Sequence, residues 1–259
     1  MDKFSVVVNG LGNVAVGCVQ HQGAREQQED SVGFTPVNGD PMDGFLAVVA
    51  DGMGGHRAGE VASSMAAEAI RLSARKAAGR DISVKTAVSW VRQANRAIYR
   101  AANEDLSRSG MGTTLTFLYF MQGHVMLAHV GDSRCYLMRG GEVYQITKDH
   151  SLVAELVRKG EITEEEAKDH PYRNIITRAL GTDDTVAVDA QDVDTRPGDV
   201  FLLCTDGLSN YLETSEIRGI LAESPPQEAC ERLVDLALDR GGRDNITVVV
   251  ARLEGEAER

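Results

Sequence analysis

Short apolar runs bounded by glycine, asparagine and proline dominate the first fifty residues and predict β-strands. These runs begin at Phe4, Asn13, Asp30 and Phe45. Apolar residues then recur at every third or fourth position through two longer segments, which predicts two helices that each lay one apolar face on a sheet. The two segments span residues 60–76 and 83–106.

The second half of the chain returns to strand patterns. Four strand-like runs separated by glycine-containing turns indicate an antiparallel meander. They begin at Thr114, His124, Cys135 and Glu142. A charged helical insert follows over residues 151–170, and Gly160 is expected to divide it into two helices. The remaining pattern predicts strands over 185–190, 200–204 and 246–253 and a helix over about 227–240.

This order of elements predicts two sheets with helices packed outside them, in a single domain over residues 1–254. Residues 255–259 are expected to form a frayed tail. At 259 residues, with 42% hydrophobic and 25% charged residues, the chain has the composition of an ordinary globular protein. The net charge of −12 argues against nucleic acid or an anionic membrane as a partner.

The cysteines are far apart, form no C-x-x-C pair and lie mostly in apolar segments, so we expect free thiols in a reducing compartment. They are Cys18, Cys135, Cys204 and Cys230. The N-terminal apolar run is too short for a signal peptide, and no apolar stretch approaches 18 residues. These features together predict a cytoplasmic protein.

Two glycine-rich segments invite a nucleotide-binding interpretation. In residues 45–63, Gly54 and Gly59 have P-loop spacing, but Glu60 replaces the lysine and would repel a phosphate. In residues 9–15, the glycines weakly resemble a dinucleotide fingerprint, but the following segment is β-branched and favours a hairpin over the required helix. Neither segment therefore predicts a phosphate cradle.

Aspartates recur where apolar strands end or begin. Asp51 and Asp206 each follow an apolar strand and precede a glycine, Asp132 lies in a turn between two strands, and Asp244 precedes the last strand. Aspartate is a common turn residue, which explains any one of them. Four such turns favour a shared site instead. A further charged group, Arg25, Glu29 and Asp30, precedes another strand.

Converging carboxylates repel one another severely unless cations lie between them. An all-oxygen set of carboxylates, a glycine carbonyl and water suits Mg²⁺ or Mn²⁺, and the lack of a His/Cys cluster disfavours zinc. Two such ions about 4 Å apart could deprotonate a shared water and clamp a phosphoryl group. Arg25 would supply the planar donor that phosphate recognition favours.

Over nearly its whole length the chain resembles bacterial metal-dependent protein serine/threonine phosphatases of the protein phosphatase 2C type. The motifs that carry the resemblance are R-x-x-x-E-D at 25–30, ADGMGGH at 50–56, GMGTTL at 110–115, VGDSR at 130–134, TDGL at 205–208 and RDNITVV at 243–249. An ordered set of six motifs is far more specific than a single glycine-rich match.

The resemblance implies an α+β fold, a four-layer α-β-β-α sandwich of two mostly antiparallel sheets with a small helical flap over about 151–181. It also implies a centre of two Mn²⁺ or Mg²⁺ ions, with a possible weaker third. By position, Asp51 bridges the two ions, Gly52 offers its carbonyl, Asp206 and Asp244 hold the second ion, Glu29 and Asp30 act directly or through water, and Asp132 helps bind the third.

The implied reaction is hydrolysis of phosphoserine or phosphothreonine in proteins by a metal-activated water, with Arg25 orienting the phosphate. The expected partners are a serine/threonine kinase and its substrates, and the protein is expected to be a monomer. Two alternatives stay open at this point: a catalytically silent sensor that binds phosphoproteins, and a phosphatase dedicated to one regulator, such as an anti-sigma-factor antagonist.

Several neighbouring residues have more modest interpretations. Met53 stands where many eukaryotic members carry a proposed proton donor, and methionine cannot transfer a proton. The proton would then come from metal-bound water or from another group, for which His170 in the flap is a candidate. Gln28 replaces the usual Asn without removing a ligand. The rest are expected to have structural roles, namely His56, Thr113, Thr114, His129 and His150.

Overall fold

The computed structural model describes residues 4–8, 11–37, 40, 44–54, 58–121 and 123–255. Twelve strands lie in these ranges. They are β1 (Phe4–Val8), β2 (Gly12–His21), β3 (Asp30–Pro36), β4 (Phe45–Met53), β5 (Gly112–Thr113), β6 (Leu115–Met121), β7 (His124–Val130), β8 (Arg134–Arg139), β9 (Glu142–Gln145), β10 (Asp189–Val193), β11 (Val200–Cys204) and β12 (Ile246–Gly255).

All strand pairings in these ranges are antiparallel and form two sheets. The first sheet has the order β1-β2-β12-β11-β8-β9. The second has the order β10-β7-β6-β4-β3, with β5 added at the end of β4. The β1–β2 pair confirms the hairpin expected near residues 9–15, although Gly10 lies outside the described residues.

Seven helices lie in the described ranges, and those outside the insert over residues 151–170 cover the outer faces of the two sheets. The seven are α1 (Ala58–Lys76), α2 (Val84–Glu104), α3 (Leu152–Lys159), α4 (Glu164–Lys168), α5 (Asp206–Ser209), α6 (Thr214–Glu223) and α7 (Pro226–Asp239), together with a 3-10 turn at Leu106–Arg108. None of the helices in the described ranges combines the length and the apolar character that crossing a lipid bilayer requires.

Local signals place the helix ends. Ser83 caps α2 by accepting a hydrogen bond from the backbone of Thr86. Gly160 ends α3 in the left-handed region, at a φ of 72°, and so confirms the division of the insert. Thr163 then begins α4 with a reciprocal capping box that involves Glu166. The acidic residues Glu164, Glu165 and Glu166 therefore form the exposed first turn of α4.

Three apolar layers hold the elements together and confirm the α-β-β-α sandwich. Between the sheets, Phe120 packs against Phe45 and Phe201, at ring-centroid distances of 5.8 and 5.7 Å. Trp90 of α2 packs against Phe117 in the layer beneath α1 and α2. The third layer joins the first sheet to α5, α6 and α7.

The structure differs from the sequence-based expectation in two places. The strand expected over residues 185–190 lies instead at β10, because only Asp189–Val193 align with β7. Val186 and Val188 use their apolar side chains to pack beneath α2. The expectation also missed α5 and α6, which are short and join β11 to α7. The last strand extends to Gly255, and residues 256–259 lie outside the described residues.

We expect Phe120→Ala to lower the free energy of unfolding by about 3–5 kcal/mol, because it leaves a cavity between the two sheets. Urea unfolding followed by circular dichroism measures this change. Leu106→Ala is the matched control, since Leu106 is 94% exposed and its truncation should change stability by less than about 0.5 kcal/mol. Equal effects of the two substitutions would contradict the sandwich core.

Candidate active site

The ends of strands from both sheets bring the acidic residues to one end of the sandwich. Asp30 begins β3 and pairs in register with Asp51 near the end of β4. Asp206 begins α5 directly after β11, and Asp244 lies two residues before β12. Burial raises the pKa of the Asp51 carboxyl group, and the charges of Asp30, Asp132, Asp206 and Asp244 all act on it in the same direction. The residues predicted from separate motifs therefore form one cluster.

Asp30 connects the two sheets. Its Oδ2 accepts hydrogen bonds from the hydroxyl groups of Thr205, at 2.9 Å, and Thr247, at 2.6 Å, which belong to the opposite sheet. Burial raises the pKa of Asp30 to about 7, although both hydroxyl groups act to lower it. One carboxylate oxygen is thus fixed by threonines, and the sequence patterns did not reveal this role of Thr205 and Thr247.

The backbone of Asp51 is held on both sides. Its N–H donates to the hydroxyl of Thr114 at 2.9 Å, and its carbonyl accepts from the hydroxyl of Thr113 and the N–H of Thr114, each at 2.9 Å. The Thr114 hydroxyl also contacts that of Ser133 at 2.7 Å. This confirms the structural role expected of the two threonines. The side chain of Asp51 is left to face the other carboxylates.

Asn245 ties the loop that carries Arg25 and Glu29 to the start of β12. Its side-chain oxygen accepts the backbone N–H of Glu29 at 2.7 Å, and its amide donates to the carbonyls of Gln22 and Gln27 at 2.8 and 2.9 Å. No pattern in the sequence indicated a role for Asn245. Its place beside Asp244 in the RDN motif was the signal that could have drawn attention to it.

Gly52 has a packing role in addition to its predicted one. A Cβ at this position would overlap the carbonyl group of Gly59 in the first turn of α1 and lie 2.5 Å from the carbonyl oxygen of Glu29. The N–H of Gly52 donates to that same Glu29 carbonyl at 3.1 Å, and the Ser63 hydroxyl donates to it at 2.6 Å. Glycine is therefore what lets α1 begin directly against the cluster.

Arg25 lies at the mouth of the cluster and forms an ion pair with Asp244, with 2.6 Å between Nη2 and Oδ2. The other Asp244 oxygen accepts the backbone N–H of Asn245 at 2.9 Å. About half of the Arg25 side chain, 53%, is exposed to solvent. The hydrogen bond to Asp244 raises the pKa of Arg25, so its guanidinium carries a permanent positive charge beside the carboxylates.

The carboxylates bear the signature of a cation site. In the part of the chain that the structure describes, four side-chain oxygens are buried without a hydrogen-bond partner, namely Glu29 Oε1, Asp30 Oδ1, Asp132 Oδ1 and Asp206 Oδ1. Burial, reinforced by neighbouring negative charges, raises the pKa of Asp132 to about 8 and that of Asp51 well above its ordinary value. Burying oxygen atoms without partners costs free energy, and a divalent cation such as Mg²⁺ or Mn²⁺, which prefers oxygen ligands, would offset that cost.

These side chains do not form a preformed coordination shell. Within the described ranges, no three His, Cys, Asp or Glu side chains are already arranged as a group that could hold a metal ion. The argument for a cation rests instead on the unpaired oxygens and on the mutual repulsion of the carboxylates. Both are consequences of burial and charge, which are set by the strands rather than by side-chain rotamers.

The other residues considered near the site make local contacts where the structure describes them. His170 Nδ1 accepts the backbone N–H of Tyr172 at 3.2 Å, and the two rings pack together. The side chain of Met53 lies against Gly112. Gln28 accepts the N–H of Asp30 at 3.0 Å. His56 lies outside the described residues.

His129 and His150 have structural roles, as expected. His129 contacts the Thr116 hydroxyl at 2.8 Å, and burial lowers its pKa to about 4, so it is neutral. His150 stacks on His129, with 4.8 Å between ring centroids, and accepts the backbone N–H of Gly131 at 3.0 Å. These contacts hold the turn that carries Asp132.

Comparisons with known proteins agree with this geometry. The sequence pattern of the family described as protein phosphatase 2C matches residues 19–238. The serine/threonine phosphatase stp of Listeria monocytogenes is 40% identical over 232 residues, which cover 87% of this chain and 90% of the relative.

Two solved structures are also similar. That of the Mycobacterium tuberculosis serine/threonine phosphatase PstP/Ppp has a TM-score of 0.84 and 41% identity, and the match covers 93% of this chain and 99% of that one. The catalytic domain of the serine/threonine protein phosphatase PstP in complex with two manganese ions has a TM-score of 0.79 and 38% identity, with coverages of 92% and 97%.

The chain therefore belongs to the protein phosphatase 2C family. This confirms the resemblance drawn from the six motifs, and the solved structures confirm the two-sheet sandwich. The family is one of metal-dependent phosphatases, and one similar structure contains manganese.

We expect the metal-free protein, prepared with a chelator, to lose stability as the pH rises from 5 to 8.5. The pKa values of Asp30 and Asp132 are raised to about 7 and 8, so the folded state binds more protons than the unfolded state across this interval. The resulting stability is complete below about pH 4 and is lost as the pH passes through the raised values, a change on the order of a few kcal/mol.

Urea unfolding at each pH tests this expectation. Asp132→Asn should reduce the slope, because it removes one of the titrating groups. A metal-free protein whose stability rises over the same interval would contradict the proposed burial of the carboxylates.

Proposed function

We propose that the protein hydrolyses phosphoserine and phosphothreonine in other proteins, using two Mn²⁺ or Mg²⁺ ions held by the carboxylate cluster and a weaker third ion. The observation that carries the proposal is the convergence of buried, unpaired carboxylate oxygens beside an exposed arginine. Family membership supports the same reaction. The intact set of acidic residues argues against a silent sensor. The relatives, named simply as serine/threonine phosphatases, do not favour an enzyme dedicated to one regulator.

In this proposal Asp51 holds both ions, Gly52 offers its carbonyl, Asp206 and Asp244 hold the second ion, Glu29 and Asp30 act directly or through water, and Asp132 contributes to the third site with Asp206. When bound, such ions lower the pKa of water and offset the negative charge of a phosphoryl group. The chain's own contribution is to fix the backbones of Asp51 and Glu29 while leaving carboxylate oxygens of the cluster unpaired.

Arg25 is the residue that binds the phosphate in this proposal. Both oxygens of Asp244 accept hydrogen bonds, one from Asn245 and one from Arg25. Each oxygen also has a second lone pair, so Asp244 could serve as a metal ligand while these bonds remain. A cation there would compete first with the more exposed of the two bonds, the bond to Arg25. The guanidinium then keeps its charge and gains donors for two phosphate oxygens.

The proton of the leaving hydroxyl does not come from the position of Met53, which has none to give. His170, the speculative donor, already uses Nδ1 to accept the backbone N–H of Tyr172. We therefore assign no side chain to this step.

Residues 151–181 form the flap in our proposal and contact protein substrates. Both ends of the segment are fixed beside the cluster. Thr177 donates its N–H to the carbonyl of His150 at 2.8 Å, and Leu180 exchanges two backbone hydrogen bonds with Thr113, next to the residues that hold Asp51. We further propose a monomeric, cytoplasmic enzyme that opposes a serine/threonine kinase; the free cysteines support the reducing compartment.

We expect a chelator to abolish hydrolysis of a phosphothreonine peptide, and Asp51→Asn or Asp206→Asn to lower kcat by about 100-fold or more, because each removes a charged ligand. Release of phosphate in Mn²⁺ measures the loss. Asp235→Asn, on the exposed side of α7, is the matched control and should keep full activity. Full activity in chelator, or in Asp51→Asn, would exclude the proposed mechanism.

For Arg25→Ala we expect kcat/KM for the same peptide to fall by about 10- to 100-fold, the loss of one charge-assisted contact. Arg25→Lys keeps the charge but not the two parallel donors, so it should recover only part of the activity. Steady-state kinetics with Mn²⁺ at saturation separate this effect from weaker metal binding. Wild-type kcat/KM in Arg25→Ala would exclude a role in phosphate binding.

A further inference from the structure

The outward face of α2 carries a row of arginines, Arg92, Arg96 and Arg100, which we call the arginine row. They are four residues apart, so they lie on successive turns of one face, and all three are exposed. In the described ranges none of them forms an ion pair. Several other exposed arginines do form one, for example Arg71 with Glu68 and Arg240 with Glu216.

The arginine row is costly for the helix that bears it. Like charges four residues apart destabilise a helix by about 0.2–0.5 kcal/mol for each pair. The row also lies in a basic part of an acidic chain: residues 71–108 contain nine Lys or Arg and three Asp or Glu, whereas the whole chain has a net charge of −12. A concentration of positive charge on such a protein is suited to a negatively charged partner.

The inner face of the same helix is tied to the active-site end of the molecule. Asn95 accepts the backbone N–H of Gly181 at 2.8 Å and donates to the carbonyl of Asp183 at 3.0 Å. Gly181 follows Leu180, which pairs with Thr113 beside Asp51. After α2 ends at Glu104, the chain soon reaches β5, which pairs with the end of β4. The arginine row therefore runs along the rigid helix that leads to the site.

We propose that the arginine row is a docking surface for an acidic segment of the phosphoprotein substrate, separate from the residues that carry the reaction. The proposal rests on the phosphatase function argued above. From Arg92 to Arg100 the helix rises about 12 Å, which an extended segment of about four residues spans. The overall charge of −12 opposes approach to an anionic lipid surface or to RNA, whereas a short acidic peptide meets only the local positive charge.

The test uses the double variant Arg96→Gln/Arg100→Gln, because glutamine removes the charge and keeps the helix propensity. The matched control is Arg80→Gln/Arg196→Gln, which removes the same charge at two exposed positions outside the row. The substrates are a phosphothreonine peptide flanked on both sides by four glutamates, the same peptide flanked by glutamines, and p-nitrophenyl phosphate.

We expect the double variant to raise KM for the glutamate-flanked peptide about threefold to tenfold at low salt and to leave its kcat unchanged. The increase should vanish in 0.5 M salt, while the other two substrates should be unaffected. Equal KM values of the two peptides with the wild-type protein, or the same increase in the control variant, would overturn the proposal.

Two further measurements separate the possible failures. Fluorescence anisotropy of an unphosphorylated, glutamate-flanked peptide reports docking even if none of the substrates is hydrolysed, so a failure of the phosphatase function is distinguishable from a failure of the docking surface. We expect weaker binding to the double variant alone. If the double variant instead loses binding to phosphatidylserine vesicles and keeps its affinity for the peptide, the row serves a lipid surface and the proposal is wrong.

Discussion

Repulsion among buried carboxylates is the constraint on which the rest of this structure depends. Five aspartates and a glutamate meet where strands of two sheets end, and burial raises the pKa of most of them. Side chains that repel one another do not hold their own positions, so their backbones must be fixed by other groups. Thr113, Thr114 and Asn245 do this for the backbones of Asp51 and Glu29. Thr205 and Thr247 instead hold one side-chain oxygen of Asp30.

The sandwich fold compensates for the unfavourable energy of the carboxylate cluster. Ladder hydrogen bonds place each aspartate at a fixed register, as in the pairing of Asp30 with Asp51. The aromatic contacts of Phe45, Phe120 and Phe201 set the distance between the sheets. Since protein interiors are close-packed, neither sheet can shift to relieve the repulsion. The energy of the core therefore maintains a cluster that would otherwise disperse.

The sequence predicted most of the architecture because the relevant signals are local. Strand patterns, the two long helices and the break at Gly160 each depend on a few neighbouring residues. The predicted position of β10 was wrong, because the register of this strand depends on its pairing with β7, some sixty residues earlier. Alternating valines at 186 and 188 resemble a strand but pack beneath α2.

The candidate site shows the same division. The acidic residues could be read from their positions at strand ends, and the ordered motifs joined them. The residues that hold the acidic groups in place could not be predicted in this way, because a threonine in a strand gives no sign of its distant hydrogen-bond partner. Thr247 lies 217 residues from Asp30, and Asn245 lies 216 residues from Glu29. Only the folded chain reveals these contacts.

The contacts that hold Asp30 and those that hold Asp244 differ in strength. The bonds that hold Asp30 are buried, and breaking one would leave a polar group unsatisfied at a cost of about 1–3 kcal/mol. The pair between Arg25 and Asp244 is half exposed, and such pairs contribute about 0–1 kcal/mol. In the proposed function, this contact exchanges for a cation at Asp244 and a phosphate at Arg25, and so weak a contact can be lost without loss of the fold. The hydrogen bonds behind the carboxylates are thus buried and strong, whereas the contact at the mouth of the cluster is exposed and weak.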